Sequence, residues 1–185
     1  MNRTTTDHPH PDLELILGGA RSGKSRLAET RAREGGHRLV YIATASAGDD
    51  EMAARIGHHR ARRGPGWQTV ESPLDLADTL DALARPDRCL VVDCLTLWLS
   101  NCLHHQRWPA ERDALLRTVG QLPGRVILVS NEVGTGIVPL GELTRQFVDE
   151  SGWLHQQLAQ VARRVTLVVA GLGLELKDLG RTSDV

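Results

Sequence analysis

Short apolar runs alternate along the chain with longer segments in which apolar residues recur every three or four positions. The two periodicities are typical of buried strands and amphipathic helices. The predicted strands are Leu13–Leu17, Arg38–Ala43, Gln68–Glu71, Cys89–Val92, Val126–Ser130 and Thr166–Ala170. The predicted helices are Lys24–Glu34, a segment from Asp49 or Asp50 to about Arg63, Leu74–Ala84, Leu95–His104, Pro109–Gln121, and Leu140–Arg163 with Gly152 as a candidate break. This order predicts an α/β fold, a mostly parallel sheet flanked by helices.

Glycine and proline mark the ends of several of these elements. Gly35 and Gly36 follow the first helix, and the Gly64-Pro65-Gly66 turn follows the second. The chain contains no internal repeat and no low-complexity linker, and 185 residues that are 41% hydrophobic suit one domain with a full core. We therefore expect a single catalytic domain over residues 13–177, between a flexible lead, 1–12, and a tail, 178–185.

Net charge, aromatic content and cysteine spacing limit the kinds of partner and site that the protein is expected to have. The net charge of −1 and an aromatic content of 3% argue against nucleic acid and against an acidic membrane surface. No apolar run approaches the roughly 20 residues of a membrane span, and the first residues lack the apolar stretch of a secretory signal. Cys89, Cys94 and Cys102 lack the paired spacing of a metal or redox site. We expect a cytoplasmic protein with free thiols.

A glycine-rich turn follows the first predicted strand. Its sequence, Gly18-Gly19-Ala20-Arg21-Ser22-Gly23-Lys24-Ser25, satisfies G-x-x-x-x-G-K-[ST]. Glycines let successive backbone N–H groups face phosphate oxygens, and the following helix presents its positive end to the same anion. Lys24 would contact the β- and γ-phosphates, and the Ser25 hydroxyl would hold Mg²⁺. The motif predicts a site for a nucleoside triphosphate.

Phosphoryl chemistry also needs an acidic residue at the end of a nearby strand to order the metal ion. Asp93, at the end of CLVVD, is the main candidate. The alternative is that its carboxylate only caps the helix that follows. Asn131 and Glu132, after VILVS, form a second strand end that could share the metal-binding role.

A histidine pair lies in the segment DDEMAARIGHHRARR. On a helix that starts near Asp50, one face carries Met52, Ile56, His59, Arg60 and Arg63. His58 lies about 100° away around the axis. A neutral imidazole beside phosphate-binding arginines can act as a nucleophile toward phosphorus. From these residues alone, a solvated helix face remains the commoner explanation of such a pair.

Five blocks together resemble a known family. GGARSGKS, YIATA, DDEMAARIGHHRARR, the W-x-T-V-E of Trp67–Glu71, and NEVGTGIVP of Asn131–Pro139 are similar, in this order, to the adenosylcobinamide kinase/adenosylcobinamide-phosphate guanylyltransferases. The resemblance covers about residues 15–176. It implies a RecA-like P-loop NTPase fold, a homotrimer, and two activities in cobalamin biosynthesis. The first phosphorylates adenosylcobinamide with ATP or GTP, and the second transfers GMP from GTP to the resulting phosphate.

The resemblance also implies roles for individual residues. His59 would carry the GMP, with His58 as the alternative, and Lys24 would be the second catalytic residue. Nucleotide contacts fall on Gly18 to Ser25, Ala43, Thr44, Ala45, Arg60, Ala61, Arg62, Arg63, Glu71 and Asp93, and Mg²⁺ contacts on Ser25 and Asp93. Two positions depart from the family pattern, since Asp93 replaces a frequent glutamate and His155 an expected asparagine. The NEVGTGIVP segment is either a functional loop at a strand end or an ordinary tight turn.

Two other functions remain open at this point. A simple small-molecule kinase would transfer the γ-phosphate and leave the histidine pair inert. A GTP-binding switch would normally carry an N-K-x-D guanine motif, which this sequence lacks.

Overall fold

The computed structural model describes residues 11–45 and 64–180. Within these ranges, one seven-stranded sheet is flanked by five helices. The strands are β1 (Asp12–Gly18), β2 (Arg38–Ala43), β3 (Trp67–Glu71), β4 (Arg88–Asp93), β5 (Arg125–Asn131), β6 (Arg164–Val169) and β7 (Leu172–Asp178). The helices are α1 (Lys24–Glu34), α2 (Leu76–Leu83), α3 (Leu95–His104), α4 (Trp108–Val119) and α5 (Glu142–Val161).

The strands are ordered β3-β2-β4-β5-β1-β6-β7, and only the β6–β7 pair is antiparallel. The central strands β1, β4 and β5 are buried along most of their length because helices cover both faces of the sheet. The larger apolar cluster packs that sheet against α2, α3, α4 and α5. The smaller cluster packs the opposite face against Ala28 and Ala32 of α1.

Most predicted elements are confirmed, and Lys24–Glu34, Arg38–Ala43 and Leu95–His104 agree at both ends. The helix predicted between 49 and 63 lies outside the described residues. The candidate break at Gly152 is wrong, because α5 continues from Glu142 to Val161. A glycine costs about 1 kcal/mol in a helix interior, and burial of neighbours such as Leu154 and Leu158 offsets that cost.

A further strand, β7, was not predicted from the sequence, which indicated Thr166–Ala170 as the last strand. Instead β6 ends at Val169, and Ala170 and Gly171, both with positive φ, form a two-residue turn into β7. Such turns match the twist of antiparallel strands. The leucines that alternate along LGLELKD are the signal that could have predicted this strand.

Parallel β1 to β5 bring their carboxyl ends to one edge of the sheet, called here the carboxyl edge. Gly18 is level with Asn131 on the neighbouring strand, and Asp93 is level with Val129 and Ala43. Ligands of open parallel sheets bind at this edge. Among the described helices, none is both long and apolar enough to cross a bilayer.

Candidate active site

The phosphate loop connects the end of β1 to the start of α1. Gly23 has φ 101°, a left-handed conformation that favours glycine, and Arg21 adopts φ 57°. Inside the loop, Ser22 N–H donates to the Gly19 carbonyl oxygen at 3.2 Å. Gly171 N–H, in the β6–β7 turn, donates to the Ser22 carbonyl oxygen at 2.8 Å. The hairpin missed from sequence therefore helps to fix the loop.

The side chain of Ser22 is a second indication of an anion site. Its Oγ is buried and has no hydrogen-bond partner among the residues that the structure describes. A buried hydroxyl without a partner is costly unless a ligand or water satisfies it. The donor is therefore available to a phosphate oxygen.

Gly18 is required for steric reasons, and its substitution gives a stability prediction. A Cβ at this position would lie 2.5 Å from the Val168 carbonyl oxygen and 2.6 Å from Ser22 Oγ. We expect Gly18→Ala to lower the free energy of unfolding by about 1–3 kcal/mol, as overpacking does. Urea denaturation without nucleotide measures this change.

Gly19→Ala is the matched control for that prediction, because a Cβ at Gly19 meets no atom within 4 Å. We expect it to change the free energy of unfolding by less than about 0.5 kcal/mol. Equal losses for the two variants would contradict the steric explanation.

Lys24 begins α1 and is 8% exposed. Its Nζ donates to the Gly19 carbonyl oxygen at 3.0 Å, so the ammonium lies over the loop. Burial lowers the pKa of Lys24, and the negative charge of Asp93 acts in the opposite direction. Lys24 and Asp93 therefore belong to one electrostatic site.

Asp93 is the last residue of β4, and its Oδ2 accepts a hydrogen bond from the Tyr41 hydroxyl at 3.0 Å. Cys94, not Asp93, occupies the N-cap position of α3, so the alternative role as a helix cap is wrong. The Asp93 carboxylate and the Ser25 hydroxyl supply the hard oxygen atoms that Mg²⁺ prefers. Mg²⁺ is usually held by one or two such side chains together with phosphate oxygens and water. This pair of donors fits that pattern.

Thr44 stabilises the backbone next to Asp93 through hydrogen bonds. It is fully buried, and its hydroxyl donates to the Cys94 carbonyl oxygen at 2.6 Å and accepts from Cys94 N–H at 2.9 Å. The Asn101 amide donates to the Thr44 carbonyl oxygen at 2.9 Å. These bonds join the ends of β2 and β4, a structural role that no local sequence signal indicates.

Glu71 lies far from the phosphate loop along the carboxyl edge. It ends β3, is exposed, and is level with Ala43 of β2. Four strand spacings separate β3 from β1, roughly 19 Å at about 4.8 Å per strand. A side chain at this distance can contact the base or sugar of a nucleotide whose phosphates are bound at Gly18–Ser25.

The histidine pair and the neighbouring arginines lie outside the described residues, in the segment 46–63. This applies to the predicted site residues His59, Arg60, Ala61, Arg62 and Arg63, and to the alternative nucleophile His58. The flanking residue Ala45 is described and follows the end of β2 at the carboxyl edge. The chain therefore leaves for this segment from the edge that carries the phosphate loop and Asp93.

A polar cluster that the sequence analysis did not predict lies behind the site. His155 Nε2 is 2.8 Å from Ser130 Oγ, and His155 Nδ1 is 3.8 Å from Glu132 Oε2. Burial lowers the pKa of His155, against the opposing influence of the Glu132 charge. The sequence singled out His155 and Glu132 separately, but no spacing rule indicates that their side chains lie close together.

The comparison with known families identifies the chain. A family described as cobinamide kinase / cobinamide phosphate guanyltransferase matches residues 14–176. The chain belongs to this family. It is 62% identical over 167 residues to the bifunctional adenosylcobalamin biosynthesis protein CobP of Pseudomonas aeruginosa, a match that covers 89% of this chain and 96% of the relative. It is 40% identical over 179 residues to the bifunctional adenosylcobalamin biosynthesis protein CobU of Escherichia coli K12, covering 88% and 98%.

Among solved structures, the flagellar accessory protein FlaH of Methanocaldococcus jannaschii superposes with a TM-score of 0.52. The alignment covers 92% of this chain and 80% of FlaH at 13% identity, which shows a shared fold alone. The predicted P-loop NTPase fold and the resemblance to the family are therefore confirmed. The chain is a bifunctional cobinamide kinase and guanyltransferase of cobalamin biosynthesis. This assignment replaces the alternatives of a simple kinase and a GTP-binding switch.

Proposed function

We propose that this enzyme carries out two consecutive transfers at the carboxyl edge of its sheet. It first moves the γ-phosphate of ATP or GTP to the hydroxyl group of adenosylcobinamide. It then moves GMP from GTP, through a guanylylated His59, to that phosphate and so forms adenosylcobinamide-GDP and pyrophosphate. The observation that carries the proposal is the convergence of the phosphate loop, Lys24 and Asp93 at the edge from which the chain departs toward the histidine pair.

In the kinase step, the backbone N–H groups of Gly18–Ser25 bind the phosphates, and Lys24 stabilises negative charge on the γ-phosphoryl group. The substrate oxygen forms a bond to the γ-phosphorus while the bond to the bridging oxygen breaks, and the nucleoside diphosphate leaves. Ser25 and Asp93 would hold Mg²⁺, and the bound ion would supply positive charge to the phosphate site. The hydrogen bond from Lys24 Nζ to the Gly19 carbonyl oxygen holds the ammonium over the loop.

In the guanylyl step, a nitrogen of His59 attacks the α-phosphorus of GTP, and pyrophosphate leaves. An oxygen of the cobinamide phosphate then attacks the same phosphorus and releases the imidazole. Two displacements need a nucleophile that is also a good leaving group, and imidazole is both. Arg60, Arg62 and Arg63, next to His59 in the sequence, would stabilise the charge of each transition state.

Radiolabelled nucleotides test this function. We expect γ-labelled ATP or GTP to label the corrinoid when the full chain is incubated with Mg²⁺ and adenosylcobinamide. Label at the α-position of GTP should then enter a second corrinoid product, and α-labelled ATP should not. Transfer of the γ-label alone would show a kinase without the second activity.

We also propose that the enzyme is a homotrimer. Leu172 is 75%, Leu174 60% and Leu176 56% exposed along the outermost strand, and Val169, opposite Leu172, is 60% exposed. Contiguous exposed apolar side chains mark association sites, and an edge strand offers unpaired backbone groups. We expect the wild type to have the mass of a trimer and Leu174→Glu to be monomeric at micromolar concentration, by light scattering after size exclusion.

Gln121→Glu, at an exposed position in the turn after α4, is the control for that experiment and should remain trimeric. A monomeric wild type would contradict the proposal.

We place the enzyme in the cytoplasm, since Cys89, Cys94 and Cys102 are buried free thiols, as is usual in a reducing compartment. We propose neither a nucleic-acid nor a membrane partner, because the net charge is −1.

A further inference from the structure

Glu132 occupies a central position at the carboxyl edge. It follows β5, which lies between β4, the strand that ends at Asp93, and β1, the strand that ends at the phosphate loop. Its backbone N–H donates to the Gly18 carbonyl oxygen at 3.1 Å. Its side chain is 29% exposed, so the carboxylate remains accessible next to the phosphate loop.

The carboxylate of Glu132 is held from two sides. Oε1 accepts a hydrogen bond from Gly134 N–H at 2.7 Å. Oε2 faces Nδ1 of His155 at 3.8 Å, a distance that is too long for a hydrogen bond but close enough for electrostatic attraction. The orientation of Glu132 therefore depends on which protonation state His155 adopts.

The other side of the His155 ring contacts buried hydroxyl groups. His155 Nε2 is 2.8 Å from Ser130 Oγ, which is 3.3 Å from Thr96 Oγ1. Thr96 Oγ1 in turn accepts a hydrogen bond from Asn131 N–H at 2.7 Å. Burial favours the neutral ring, and the Glu132 charge favours a proton on the nearer nitrogen, Nδ1. His155 Nε2 then accepts a hydrogen bond from the Ser130 hydroxyl.

A serine, a histidine and a carboxylate in this order resemble the catalytic arrangement of acyl-transfer enzymes. However, Ser130 is 1% exposed and cannot reach a substrate as a nucleophile. The accessible member of the cluster is Glu132. The buried members therefore support the carboxylate of Glu132.

We propose that Glu132 accepts the proton of the corrinoid hydroxyl group in the kinase step, and that His155 is a positioning residue for Glu132. This inference rests on the phosphoryl transfer proposed above. As the oxygen–phosphorus bond forms, the proton passes from the hydroxyl to the Glu132 carboxylate. The bond from the γ-phosphorus to the bridging oxygen breaks, and its electron pair leaves with the nucleoside diphosphate.

The other two carboxylates at strand ends of this edge, within the described residues, suit this role less well. Asp93 accepts the Tyr41 hydroxyl and is one of the two proposed Mg²⁺ ligands. Glu71 lies four strands from β1. Glu132 alone of the three follows the strand directly beside the phosphate loop.

Glu132→Gln tests the catalytic role, since it keeps the shape of the side chain and removes its basicity. We expect kcat for phosphorylation of adenosylcobinamide to fall about 10²–10³-fold, as loss of a general base does. The KM for the nucleotide should change far less than kcat. The rate of covalent labelling by α-labelled GTP should also fall, if at all, by a factor at least ten times smaller than the factor for phosphorylation. A neutral imidazole attacks through its own lone pair, so this step has no hydroxyl proton for Glu132 to accept.

Two results would overturn this role. One is a kcat for phosphorylation within about threefold of the wild type, and the other is an equal loss of both activities, which would place Glu132 in the shared nucleotide site. Absence of phosphorylation by the wild type would instead overturn the proposed function, and this inference with it. The partly exposed Glu132 should tolerate the substitution without unfolding.

Two variants of His155 separate positioning from mere packing. An asparagine amide nitrogen lies close to the place of Nδ1, so His155→Asn keeps a donor facing Glu132. A glutamine amide reaches the place of Nε2, so His155→Gln keeps only the contact to Ser130. We expect phosphorylation kcat to stay within about threefold in the first variant and to fall at least tenfold in the second, with the nucleotide KM little changed in both.

Equal kcat values for the two variants, or the reverse order, would overturn the positioning role. If His155 has only a structural role, the kcat of each variant should follow its melting temperature, whether the new side chain is asparagine or glutamine. Melting temperatures measured on both variants distinguish these explanations. If His155→Gln fails to fold, Glu132→Gln still decides the proposal.

Discussion

Replacing Lys24 with alanine is expected to lower kcat/KM for both transfers by about 10²–10³-fold or more while the protein stays folded. The Lys24 ammonium is buried, lies over the loop carbonyl of Gly19, and interacts electrostatically with Asp93. In the proposed function, both reactions transfer phosphorus from a nucleotide held in this one loop. Loss of a single preorganised charge at a phosphoryl centre has an effect of this size.

The chain offers a matched control, because Lys177 is its only other lysine. Lys177 Nζ donates to the carbonyl oxygens of Ala159 and Gln160 near the end of α5. We expect Lys177→Ala to lower the free energy of unfolding by about 0.5–1.5 kcal/mol and to keep kcat/KM within about twofold. Retention of more than a tenth of either activity in Lys24→Ala would contradict the shared phosphate site.

Replacing His59 with alanine should separate the two activities. We expect His59→Ala to form adenosylcobinamide phosphate but to lose formation of adenosylcobinamide-GDP by at least about 10³-fold, since the covalent route has no substitute nucleophile. The measurement is the amount of each corrinoid product made from labelled GTP over time. Phosphorylation should persist because the proposed site for the γ-phosphate is formed by residues of the loop and not by His59.

His58→Ala is the matched control for this prediction and should make both products. If His58→Ala lost the second product and His59→Ala kept it, the assignment of the nucleophile would be reversed. If both single variants kept it, covalent catalysis by the pair would be wrong. Loss of both products in His59→Ala would indicate a wider role for that residue in nucleotide binding.

The parts of this fold that depend on local signals could be predicted from the sequence. Lys24–Glu34 begins after Gly23 and ends before Gly35, so both of its ends are marked by glycine, and four of the five residues from Leu13 to Leu17 in β1 are apolar. The phosphate loop was predictable for the same reason, since its chemistry lies in eight consecutive residues. Asp93 followed from one further rule, that acidic residues at strand ends meet the loop at the carboxyl edge.

The parts that depend on tertiary contacts could not be predicted. A helix boundary at Gly152 was plausible from propensity, but packing of α5 against the sheet prevailed. Thr44 gave no local indication that its hydroxyl would join two strand ends. His155 and Glu132 are separated by more than twenty residues, and only the packing of α5 behind β5 brings them together.

We propose that one chain both binds the nucleotide in its phosphate loop and carries GMP covalently on His59. Incubation of the wild-type enzyme with Mg²⁺ and α-labelled GTP, followed by denaturation and peptide mapping, tests it most directly. We expect an acid-labile α-label on the peptide that contains His59, with fragmentation assigning the label to that residue. Absence of any α-label on the protein, while γ-phosphate still reaches cobinamide, would contradict it.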